Sequence, residues 1–137
     1  MRLMLDTNVC IDLLRSGGRR MARSLPRFEI DEVGISSISF AELKYGAAKS
    51  ARPAFQSLLL IQLCASLQIA PFDDAAAERY GEVRSVLERA GRPIGPLDTL
   101  IAAHALSLDA VLVTGNLREF RRVPGLRVER WSGEALT

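Results

Sequence analysis

Short apolar runs alternate with segments of helical period along the whole chain. Arg2 to Leu5 reads as a strand, and Asp6-Thr7-Asn8 supplies a turn and a helix cap. Val9 and Leu13 carry a helix to about Ser16, where Gly17-Gly18 stops it, and a second short helix is expected over Arg19 to Leu25. Val33 to Ser36 is the next strand, followed by Ser36, Ser37 and Ser39 as caps for a helix reaching about Lys49. Pro53 opens a helix through Ser66, and Gln68 to Pro71 is a brief strand. Asp73-Asp74 starts a helix to about Ala90, and Gly95-Pro96 starts another to about Leu108. Ala110 to Thr114 is a strand, Asn116 to Phe120 a turn of helix, and Leu126 to Glu129 a last strand. Such alternation predicts one α/β domain over residues 1–137, with a parallel sheet covered by helices on both faces.

Composition narrows the class. With 48% hydrophobic and 25% charged residues the chain can bury an ordinary core, which argues against a disordered protein. The apolar run Leu58 to Leu67 is broken by Gln62 and Ser66 and falls short of the roughly 18 residues of a membrane span. Leu3-Met4-Leu5 is too short for a signal-peptide core, so no membrane association is expected. Cys10 and Cys64 lack metal-ligand spacing and are expected as reduced, buried thiols of a cytoplasmic protein. His104, the only histidine, excludes zinc sites built on histidine, and no Gly-x-Ser-x-Gly elbow accompanies it. The net charge of +2 is too mild to identify a nucleic-acid partner. All basic residues except Lys44 and Lys49 are arginine, which suits phosphate recognition but equally reflects base composition of the gene.

The carboxylates resist a bland account when taken together. Asp6 sits where a strand ends and a helix begins, the place where open α/β sheets bind ligands, although capping is also routine work for Asp. Glu42 follows Ile38 by four residues and precedes Tyr45 by three, so it is expected on the stripe facing the core. A buried carboxylate there needs a cation or a strong donor; a stripe-edge Glu reaching solvent does not. Asp98 shares a face with Ile101, Ala102 and Ala105, and it also complements the helix dipole. Asn116 and Glu119 follow a later strand end. A carboxylate set without His or Cys selects Mg²⁺ or Mn²⁺ over zinc. Phosphodiester hydrolysis is the chemistry such a site favours. Patterning alone leaves open whether these segments meet in space.

The order Leu5-Asp6-Thr7-Asn8, Ser39-Phe40-Ala41-Glu42-Leu43, then Pro96-Leu97-Asp98-Thr99-Leu100-Ile101-Ala102-Ala103-His104-Ala105 resembles the PIN domain. Val113-Thr114-Gly115-Asn116-Leu117-Arg118-Glu119-Phe120, with Val123-Pro124-Gly125-Leu126 and Trp131, is similar to its VapC toxin branch. The resemblance spans nearly the whole chain. It implies a PIN-like α/β fold and an Mg²⁺- or Mn²⁺-dependent endoribonuclease, the toxin of a type II toxin–antitoxin pair. Asp6, Glu42 and Asp98 match the family's first three acids. Many members carry Asp where this chain has Asn116, so the fourth acidic role passes to Glu119, with Asn116 and Thr114 orienting it. In the implied mechanism Asp6 and Asp98 hold the metal directly, and Asn8 fixes Asp6. Glu42 binds through water or deprotonates the attacking water, which leaves a 5′-phosphate and a 3′-hydroxyl. Arg84, Arg89, Arg92, Arg118, Arg121 and Arg122 flank the motifs and either track RNA phosphates or form a solvated helix face.

Phe55, Leu59 and Leu63 make one stripe, while Leu58, Leu60 and Ile61 spread apolar surface around the same helix. Either that helix is deeply buried, or one side serves a homodimer or a VapB-like antitoxin segment. Other classes stand beside this reading. A receiver domain would need an acidic pair after the first strand and a late Lys, and both are missing. A non-cleaving PIN-like RNA- or protein-binding module finds support in Asn116, and a DNA-directed nuclease would use the same metal chemistry.

Overall fold

The computed structural model describes residues 1–15, 19 and 28–131. The helix expected over Arg19 to Leu25 lies, apart from Arg19, outside the described residues. Among the described residues the strands are β1 (Leu3–Leu5), β2 (Val33–Ser36), β3 (Gln68–Ala70), β4 (Val111–Thr114) and β5 (Val128–Arg130). The described helices are α1 (Thr7–Arg15), α2 (Ser37–Lys49), α3 (Pro53–Ala65), α4 (Asp74–Arg89), α5 (Pro96–Ser107) and α6 (Leu117–Phe120). Every strand pairing is parallel, in the order β3-β2-β1-β4-β5. The expected fold class is the one observed, with element ends moved by one or two residues.

Alternation along the central strands divides the core into two layers. Leu3 and Leu5 of β1, Val33 and Ile35 of β2 and Val113 of β4 pack with Val9, Leu13, Leu43, Leu60 and Leu63 from α1, α2 and α3. Met4 and Leu112 point to the other face, against Val83 and Leu87 of α4, Ile101 and Ala102 of α5, and Phe120 of α6. Small residues at Ala102, Ala103 and Ala105 are fully buried and bring α5 close to the sheet. Gly34 is required for the same reason: a Cβ there would collide with the Gln68 carbonyl oxygen and the Met1 methyl.

Caps fix where the helices begin. Ser36 Oγ accepts from Ile38 N–H at 3.1 Å to start α2, and Asp73 Oδ1 accepts from Ala76 N–H at 3.0 Å to start α4. Pro96 stands in the first turn of α5, where its missing N–H costs nothing.

Three expectations change. The buried line of α2 is Ser39, Leu43 and Ala47, whereas Tyr45 is 66% exposed. Glu42 therefore lies at the edge of that line, not on it. In α3, Leu59, Leu60 and Leu63 are buried, while Leu58 and Ile61 are 61% and 64% exposed, so Leu60 belongs to the inner side and the helix is amphipathic by position. Cys10 is buried as expected, but Cys64 is only partly so. Among the described residues, no helix is long and apolar enough to cross a membrane.

Candidate active site

The strand order reverses between β1 and β4: β2 and β3 extend to one side of β1, β4 and β5 to the other. The crevice beyond the carboxyl ends of two such strands is where doubly wound sheets place their ligands. Asp6 follows β1 directly and Thr114 ends β4. Thr114 Oγ1 donates to Asp6 Oδ2 across the reversal point. The other carboxylate oxygen caps α1, accepting from Val9 N–H at 2.9 Å. Asp6 thus caps α1 and at the same time bridges to the end of β4.

Glu42 reaches the crevice from α2. Its Oε1 accepts from Thr7 Oγ1 at 2.8 Å, and Thr7 Oγ1 is also 3.0 Å from Ser39 Oγ. Since the carboxylate can only accept, the Thr7 proton goes to Glu42 and the serine donates to Thr7. Asp98 stands in the first turn of α5, with its Oδ2 beside the Gly95 turn. Asn116 closes the set after β4: its N–H donates to Thr114 Oγ1 at 2.9 Å, and its Nδ2 donates to Glu119 Oε2 at 3.0 Å.

The other three acids lie near enough to Asp98 for their charges to act on it. Burial is the main cause that pushes the Asp98 carboxyl up to about 6, followed by the charges of Glu119, Asp6 and Glu42. Asp6 is likewise raised, chiefly by burial, against the lowering effect of Thr114 and the backbone N–H groups of Val9 and Asn8. Among the described residues no Lys or Arg forms an ion pair with any of the four acids. An added cation would relieve the mutual repulsion of these acids.

The donor set fits Mg²⁺ or Mn²⁺. All the facing groups are oxygen donors, the preference of hard cations. Among the described residues, no three Asp, Glu, His or Cys side chains are gathered closely enough to enclose an ion by themselves. Mg²⁺ is commonly held by one or two carboxylates and keeps several waters, so this spacing suits it better than a closed cage.

Other expected residues sit differently. The Asn8 side chain is exposed; only its backbone N–H reaches Asp6. Arg84 is paired with Glu88 at 2.8 Å, and Arg122 Nη1 donates to the Pro93 carbonyl at 3.0 Å. Arg89, Arg92, Arg118 and Arg121 are exposed. The sequence reading passed over Thr7 as a partner of Glu42, although its place beside Asp6 in the first motif was the available signal. The pairing of Ser36 with His104, 2.8 Å apart in the core, was not foreseen, because nothing in the sequence links a cap serine to the single histidine 68 residues away.

A model of the PIN domain matches residues 3–126. The chain is 40% identical to the tRNA(fMet)-specific endonuclease VapC of Shigella flexneri, over 96% of this chain and 99% of that protein. It is 38% identical to ribonuclease VapC2 of Rickettsia felis, over 93% and 96%. Among solved structures, a chain of VapBC2 from Rickettsia felis bound to a DNA fragment from its promoter superimposes with a TM-score of 0.88, at 37% identity, covering 96% of this chain and 100% of that one. A chain of DNA-bound VapBC from Salmonella typhimurium gives 0.86 at 40% identity, covering 96% and 98%. The chain belongs to the PIN-domain family, in its VapC branch.

Proposed function

We propose that this chain is an Mg²⁺- or Mn²⁺-dependent endoribonuclease and the toxin of a type II toxin–antitoxin pair. The observation that carries the reading is that Asp6, bound to Thr114 across the β1/β4 reversal, and Glu42 and Glu119 all lie near enough to act on the Asp98 carboxyl, with no Lys or Arg paired to any of the four among the described residues. Asp6 and Asp98, the two acids whose carboxyls are raised, are the groups to hold the metal. When bound, the ion would neutralise phosphate charge and make a water acidic enough to attack near neutral pH. Glu42, bonded to Thr7, would take a proton from the attacking water. Attack on the phosphorus breaks the bond to the 3′ oxygen, leaving a 5′-phosphate and a 3′-hydroxyl. Thr114 holds Asp6, and Asn116 holds Glu119, in the required orientations.

The names of the relatives support RNA as the substrate, tRNA(fMet) in one case, and the VapBC complexes support a VapB-like antitoxin as partner. The exposed side of α3, with Leu58 and Ile61, is the surface for a homodimer or for that partner.

The test compares a folded tRNA, a single-stranded RNA and a DNA of the same sequence, each with Mg²⁺ and with EDTA. RNA cleavage that EDTA abolishes and Mg²⁺ or Mn²⁺ restores is the expected result. Cleavage undiminished in EDTA would contradict the metal mechanism, and cleavage of DNA alone would contradict the substrate.

A further inference from the structure

A second concavity, unused by the chemistry above, is lined in part by Pro96 and Thr99, which share the first turn of α5 with Asp98. It has a volume of about 280 Å³ and sits between α4 and the start of α5. Leu87 and Ile94 form its apolar floor, Tyr80 gives an aromatic wall, and Arg84 with Glu88 forms the polar rim. Thr99 also lines it, and Thr99 is the residue after Asp98. Its Oγ1 donates to the Gly95 carbonyl at 2.8 Å, while the Asp98 carboxylate lies against the same glycine. The cavity and the carboxylate therefore flank one helical turn.

We propose that this cavity receives an unpaired nucleobase of the RNA strand adjoining the scissile phosphate. The inference rests on the nuclease reading and adds a substrate subsite to it. Size favours a single base, since sites for larger ligands run from roughly 300 to 1,000 Å³. Chemistry favours it too. An aromatic wall suits base stacking, which accepts any base because each has a π-face. Glu88 uses Oε1 to accept from Arg84 Nε at 2.8 Å, and its second oxygen is left to accept from a base N–H. Arg84 Nη1 also donates to Tyr80 Oη at 3.0 Å, so the rim and the wall are held as a unit. The bond from Arg122 to the Pro93 carbonyl braces the opposite lip. An apolar peptide would leave the Arg84–Glu88 rim without use.

The experiment uses an RNA stem-loop that the wild type cuts in Mg²⁺, with abasic ribose placed singly at each nucleotide flanking the cut. The abasic change at one position is expected to raise KM roughly 5- to 100-fold, the range that base–aromatic stacking supplies, with kcat little altered. Tyr80→Ala should raise KM similarly on the intact RNA and lose nothing more on the abasic one. Tyr80→Phe should keep the wild-type KM within a few-fold; Tyr80→Ala, which loses the packing of Tyr80 against the core, should melt lower but stay folded at the assay temperature. Equal KM values for every abasic RNA would overturn the proposal, as would additive losses from Tyr80→Ala and the abasic change. Unchanged cleavage by Tyr80→Ala with weakened self-association would overturn it in favour of an interface between copies. A folded wild type that cuts no RNA in Mg²⁺ would instead overturn the nuclease reading itself.

Discussion

Ser36 Oγ and His104 Nδ1 lie 2.8 Å apart in the core, although 68 residues separate them in sequence. Ser36 caps α2, which carries Glu42, and His104 belongs to α5, which carries Asp98. Their bond ties together two helices that each deliver an acid to the crevice. His104 also bonds to the Pro71 carbonyl and meets the Phe72 ring edge-on at 5.3 Å. Burial is the main cause that lowers its basicity, so the ring is neutral; with one nitrogen donating to Pro71, the other accepts from Ser36.

His104→Ala should therefore lower stability by about 2–5 kcal/mol, because it opens a cavity and leaves buried Ser36 with one partner fewer. Ser36→Ala should cost less, about 1–2 kcal/mol, through the lost cap and the lost bond. Chemical denaturation of both variants measures this. A change below about 0.5 kcal/mol for His104→Ala, the size of an ordinary surface substitution, would show that the contact does not hold the helices.

Stability against pH separates two groups of opposite sign. The Asp98 carboxyl is raised in the folded protein, so its contribution is fully present below the ordinary value near 3.8 and is lost as pH rises through about 6. His104 is lowered, so its contribution is present above 6.5 and is lost as pH falls below that value. In EDTA, Asp98→Asn should raise the melting temperature at pH 7.5 more than at pH 5, since it removes the uncompensated charge. Equal shifts at both values would mean that Asp98 does not carry the repulsion.

The exposed side of α3 gives a prediction about assembly. Leu58→Glu with Ile61→Glu should leave the melting temperature of the monomeric fold within a few degrees, because both side chains are mostly in water. The same change should abolish dimerisation or antitoxin binding in sedimentation and pull-down measurements. A double variant that still dimerises and still binds the antitoxin would remove this face from the interface.

Much of the fold was legible because the strands are short, apolar and separated by helices with clear caps. Asp6 and Asp98 could be singled out because each stands at a helix start, where position alone limits its surroundings. Glu42 was harder. Counting Tyr45 as apolar and Ser39 as polar shifted the stripe of α2, whereas burial follows size and neighbours, and Ser39 is buried through its contact with Thr7. The convergence of the acids could not be read at all without the strand order, which places β4 beside β1. The ends of β5 moved for a related reason: its start is set by the pairing of Val128 with Leu112, not by its own composition.

The central claim is that the clustered acids act on RNA through a cation, and Asp98 tests it most directly. Nuclease activity of Asp98→Asn should be measured beside its melting temperature, in Mg²⁺ and in EDTA. Asparagine keeps the size and the turn preference of the residue, and at an exposed helix start the lost dipole interaction would be worth only about 0.3–1 kcal/mol. The account predicts a variant that folds, melts at or above the wild-type temperature in EDTA, gains less stability from Mg²⁺, and cuts RNA at least ~100-fold more slowly, the loss expected when a group for phosphate-charge stabilisation is removed. A variant that melts normally and cuts RNA at the wild-type rate would contradict it.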